Sequence, residues 1–89
     1  MLQDRIEHAI GGIGLELQRP TGERVAPEPQ LRHIRQQLQA MREQLVSGPL
    51  PPPQARVSML GRMITDSWPL ESDLGSLLIA IEREYLALP

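Results

Sequence analysis

The chain has 89 residues and no cysteine, and its nine basic residues, all arginine, face 11 acidic ones for a formal net charge of −2. That length holds one domain, 1–89, with a thin core, because so short a chain buries only about 60 to 65% of the surface its unfolded form exposes. The composition excludes a disulfide framework and a thiolate metal centre, and the acidic balance leaves no electrostatic footprint for nucleic acid.

Two aromatic residues and no Phe leave the core to Leu, Ile, Val, Met and Ala, a set that suits helix packed on helix. The opening Met1-Leu2-Gln3-Asp4-Arg5 lacks the charged-then-apolar order of a signal peptide. No apolar run nears the roughly 18 residues of a membrane span. These features predict a cytoplasmic protein with no membrane contact.

From Leu2 to about Gln18, the positions Leu2, Ile6, Ala9, Ile10, Ile13 and Leu17 recur at spacings of three and four, one face of a helix. Gly11, Gly12 and Gly14 interrupt it, each costing about 1 kcal/mol against Ala in a helix interior. Either a neighbouring helix packs very close there, or the helix bends. Pro20-Thr21-Gly22 and the segment up to Pro29 read as a loop ending with proline in a first helical turn.

A second helix starts near Pro29, with Leu31, Ile34, Leu38, Met41 and Leu45 on one side and polar residues between. Ser47-Gly48-Pro49 stops it, with Gly48 expected as a left-handed cap. Pro51-Pro52-Pro53 reads as a rigid connector. A third helix is expected from Gln54 to about Asp66, ended by Trp68-Pro69 because the residue before proline leaves helical geometry. Ser72 then caps a fourth helix, with Asp73 in its first turn and Leu74, Leu77, Leu78, Ile81, Tyr85 and Leu88 as its apolar stripe. The sum is an all-α bundle of about four helices joined by short proline-rich connections.

Chemistry-bearing patterns are sparse. His8 and His33 fall on different helices, with no partner at metal-ligand spacing. The Gly11–Gly14 run follows no strand and precedes no Gly-Lys-Ser/Thr, so it is not a phosphate loop. No serine sits in a nucleophile elbow. The sequence therefore predicts no catalytic, metal or cofactor site, and no enzyme.

The carboxylates are more suggestive. Asp66, Glu71, Asp73, Glu82 and Glu84 crowd the last third of the chain. From Pro49 onward five acids meet three arginines, whereas the part before balances six against six. Such asymmetry steers a basic partner, while helix capping and solvated faces account for the same residues without one. Trp68 has the same two readings, a binding hot spot or a plug over the end of the core. The seam of the second helix spans about two heptads, short of a coiled coil, which favours packing within the chain.

Taken together, Ile6-Glu7-His8-Ala9-Ile10, Gln30-Leu31-Arg32-His33-Ile34-Arg35, Leu60-Gly61, Asp66, Trp68, Leu74, Leu78 and Tyr85 form a series along nearly the whole chain. It resembles the small helical immunity proteins of type VI secretion effector–immunity pairs, in particular those that neutralise an NAD(P)-degrading toxin. The chain departs from that pattern in its Pro49–Pro53 spacer and in carrying Trp68 where the family has Phe. The resemblance implies a cytoplasmic antitoxin that binds a cognate toxin domain in interbacterial competition and blocks its active site stoichiometrically.

On this reading the contact surface is acidic, with Asp66, Trp68, Glu71 and Asp73 as first candidates and Glu82 and Glu84 as second. The alternative is a non-enzymatic helical adaptor that forms a homodimer through the seam of the second helix.

Overall fold

The computed structural model describes residues 2–48, 50–52 and 60–88. Those residues form four α-helices, α1 (Leu2–Gln18), α2 (Glu28–Ser47), α3 (Leu60–Ser67) and α4 (Asp73–Leu86), with a 3₁₀ turn at Thr21–Glu23. No strand occurs among them, so the all-α expectation holds.

Each helix turns one stripe inward. Ile6, Ala9 and Ile13 of α1, Leu31, Ile34 and Leu38 of α2, Leu60 of α3, and Leu78 and Ile81 of α4 are fully buried. Ala26, Met41, Ile64, Trp68 and Tyr85 complete the same cluster. The α2 seam is thus used inside the chain, where truncating a fully buried Leu or Ile to Ala costs about 2–5 kcal/mol.

Packing runs α1 against α2 and α4, and α3 against α4. Arg5 near the start of α1 pairs with Glu84 near the end of α4 at 2.7 Å. Gly12, further along α1, meets Leu74 at the start of α4. The two helices therefore run antiparallel.

The three glycines neither break α1 nor act alike. A Cβ on Gly11 or Gly14 would meet nothing within 4 Å, whereas one on Gly12 would lie 2.9 Å from Leu74 Cδ1. Close helix approach explains Gly12 alone.

The link from α1 to α2 is held by charge. Glu16, only 8% exposed, accepts from the Val25 amide at 3.1 Å and pairs with Arg19 at 3.2 Å. Arg24 donates back to the carbonyls of Leu17 at 2.8 Å and Arg19 at 3.0 Å, satisfying oxygens that a helix C-terminus leaves open. Pro27 occupies the N-cap of α2 and Pro29 its first turn, where a missing N–H costs nothing. The 3₁₀ turn inside this link carries no sequence signal distinct from a loop.

One expectation fails at the far end of α2. Gly48 has φ −169° and ψ 179°, extended backbone rather than a left-handed cap, so α2 ends by running straight out. The expected third-helix residues Gln54–Met59 and the end of the proline spacer, Pro53, lie outside the described residues. From Leu60 the helix is present and ends before Pro69, as anticipated. Ser72 caps α4 as expected, its Oγ accepting from the Gly75 amide at 3.0 Å.

Candidate functional site

The acidic candidates fall into two groups. Asp66 lies in the last turn of α3, Glu71 in the turn between the helices and Asp73 at the first position of α4, and all three are exposed. Glu82 and Glu84 lie further along α4, and nine residues of helix put Glu82 about 14 Å along the axis from Asp73.

Glu82 and Glu84 are also engaged. Both carboxylate oxygens of Glu82 accept from the Gly61 amide at 3.1 Å, in the first turn of α3, where a helix presents unsatisfied N–H groups. Glu84 pairs with Arg5. To meet a partner with its carboxylate, Glu82 would first leave the Gly61 amide, whereas the Arg5–Glu84 pair lies at the surface with side chains 53% and 44% exposed. Asp66 sits 3.9 Å from Arg62 with both side chains largely exposed, a pair worth little in water. Neither Glu71 nor Asp73 has a cation partner among the described residues.

Trp68 serves as a plug. It is 4% exposed, its amide donates to the Ile64 carbonyl at 2.9 Å, and its indole Nε1–H donates to Gln30 Oε1 at 2.8 Å. The side chain closes the α3 end of the core, and its polar tip ties α3 to the start of α2. What stands at the surface instead is its neighbour Leu70, 91% exposed. Leu70 is not among the candidates named from sequence, although a Leu between Pro69 and Glu71 in a capped helix–helix turn is a local signal.

The turn that carries Leu70 is fixed on both sides. The Ser72 amide donates to the Pro69 carbonyl at 3.1 Å, which places Leu70 and Glu71 at its two central positions. Pro69 restricts the entry, Trp68 anchors the end of α3 and the Ser72 cap anchors the start of α4. Beside the turn lies a mainly apolar cleft of about 70 Å³ lined by Ile64, Trp68, Pro69, Leu70, Gly75 and Ile79 among others. That holds the end of one aliphatic side chain and falls well short of the roughly 300–1,000 Å³ of a small-molecule site. Gly75 lets α3 come this close, since a Cβ there would stand 3.1 Å from Ile64 Cγ2.

Both histidines are exposed, His8 on α1 and His33 on α2, the latter 3.2 Å from Gln37 Nε2. Among the described residues no group of three His, Asp or Glu side chains is placed to hold a metal ion, and no helix is long and apolar enough to cross a membrane. Compared with protein-family models, with curated proteins and with solved structures, the chain matches none.

Proposed function

We propose that this chain is a stoichiometric inhibitor, an immunity protein that binds a cognate bacterial toxin domain in the cytoplasm and occludes its active site without catalysis or cofactor. The observation that carries the reading is the α3–α4 corner, where Asp66, Glu71 and Asp73 are all exposed beside a rigid turn. Between Leu60 and Ile79 there are three carboxylates and one arginine, and the rest of the chain balances eight against eight, so this corner carries the whole net charge of −2. A toxin that degrades NAD(P) must attract a phosphate-bearing substrate, and an acidic plug complements the same cleft.

The residues that carry the family resemblance support the reading as framework. Gln30 anchors Trp68, the Gly61 amide donates to Glu82, and Leu31, Ile34, Leu60, Leu78 and Tyr85 lie in the core. A standard interface of roughly 800 Å² per partner is about a seventh of the 5666 Å² accessible surface, so the corner forms the centre of a larger contact. The competing adaptor would need the α2 seam, whose Leu31, Ile34 and Leu38 are fully buried within the chain.

The test is reconstitution with the C-terminal domain encoded by the adjacent gene. A one-to-one complex that suppresses that domain's NAD(P) hydrolysis or other toxic activity supports the proposal. Absence of a complex, together with a stable homodimer of the chain alone, transfers the reading to the adaptor.

A further inference from the structure

We infer that the Leu70–Glu71 turn is the recognition tip of this protein, and that it docks a basic protein segment in which an aliphatic side chain is flanked by arginine or lysine. The inference rests on the reading of the chain as a protein-binding module and specifies what that module binds. Leu70 is 91% exposed, yet the backbone carrying it is closed by the Ser72-to-Pro69 hydrogen bond and the Ser72 cap. An apolar side chain on backbone that is already ordered loses little further freedom on binding, which is how an anchor residue gains affinity.

The neighbouring cleft, of about 70 Å³, is sized for one aliphatic group, so the contact is reciprocal. Leu70 enters the partner, and a partner side chain enters between Ile64, Trp68 and Ile79. The charge of the occupant is set by the surroundings, because Asp66, Glu71 and Asp73 bracket Leu70 along the chain. Apolar centre and charged rim are the usual anatomy of an interface, and here the rim selects a cationic segment.

Two peptides of matched length, Ac-Arg-Leu-Leu-Arg-NH₂ and Ac-Glu-Leu-Leu-Glu-NH₂, are titrated at millimolar concentration into the ¹⁵N-labelled chain. The expected result is saturable amide shifts confined to Thr65, Leu70, Gly75, Ser76 and their neighbours. They appear with the arginine peptide only, weaken as salt is raised and vanish in Leu70→Asp. Equal response to both peptides, shifts spread over the surface, or no shift overturns the inference. So does self-association of the unmodified chain that Leu70→Asp disperses, since the occupant is then a second copy.

With the reconstituted toxin domain, Leu70→Asp weakens binding by about 30-fold or more, as for a hot-spot residue. Val46→Asp, at a site 62% exposed near the end of α2, leaves binding unchanged. A toxin complex indifferent to Leu70→Asp defeats the tip and leaves the immunity reading standing. Peptide binding at the tip with no toxin complex does the reverse.

Discussion

The indole of Trp68 and the side-chain amide of Gln30 meet at 2.8 Å across 38 residues of chain, joining the end of α3 to the first turns of α2. Among the described residues α3 covers Leu60–Ser67 and packs mainly on α4. This bond and the burial of the indole hold its far end in register. The acidic corner therefore owes its placement to a residue that is itself almost wholly buried.

Trp68→Phe is expected to destabilise the fold by about 1–3 kcal/mol, through the lost hydrogen bond and the smaller ring. Gln30→Ala is expected to cost about 1–2 kcal/mol by leaving the indole N–H without its partner. In a double-mutant cycle the two losses overlap by about 1 kcal/mol, read from urea unfolding by far-ultraviolet circular dichroism. Strict additivity would show that the bond contributes nothing.

The glycines of α1 separate by surroundings. Gly11→Ala and Gly14→Ala place a methyl in open space and are each expected to stabilise by about 0.5–1 kcal/mol. Gly12→Ala gains less, because its Cβ would lie 2.9 Å from Leu74 Cδ1. Its full gain returns in a Leu74→Ala background, and thermal unfolding of the single and paired variants checks the order.

A Cβ on Gly61 would stand 2.6 Å from Glu82 Oε1. Gly61→Ala therefore moves the flexible end of Glu82 off the amide it accepts from, and the lost bond offsets the gain of about 0.5–1 kcal/mol that Ala brings to a helix, for a small net change, whereas Glu82→Ala costs about 1.5–3 kcal/mol as the loss of a charge-assisted bond. The two together cost less than their sum. Denaturant titration of the three variants reads this directly.

Arg24 is 14% exposed at its side chain and donates to two carbonyls at the end of α1. Arg24→Ala is expected to cost about 1–3 kcal/mol, and Arg24→Lys recovers only part because an ammonium lacks the fork that reaches both oxygens. Amide exchange should quicken in the last turn of α1 and the link beyond it, with the centre of α4 unchanged below the global unfolding limit.

The helices were legible because each stripe repeats at the helical period. Ile6, Ala9 and Ile13 or Leu31, Ile34 and Leu38 read as buried from their spacing alone and are buried. The Ser72 cap and the stop at Pro69 were equally plain, since both are local chemistry. Side-chain partners distant in sequence were not legible: nothing in the chain announces that Glu82 belongs to Gly61 across 21 residues or Glu84 to Arg5 across 79. Hence five carboxylates that look alike in sequence divide into an exposed corner and two that bond to other helices. Gly48 misled because a glycine before proline fits a left-handed cap and an extended exit equally well. Leu70 escaped because an exposed apolar residue leaves no periodic trace.

The acidic corner is tested most directly by the affinity of the chain for the adjacent gene's toxin domain, measured by calorimetry for the unmodified protein and for Asp66→Arg/Glu71→Arg/Asp73→Arg. One-to-one binding is expected, weakened by at least about 100-fold, roughly 2.7 kcal/mol, in the triple reversal, while the fold stays intact by circular dichroism. Binding of unchanged strength after the reversal would contradict the corner's role.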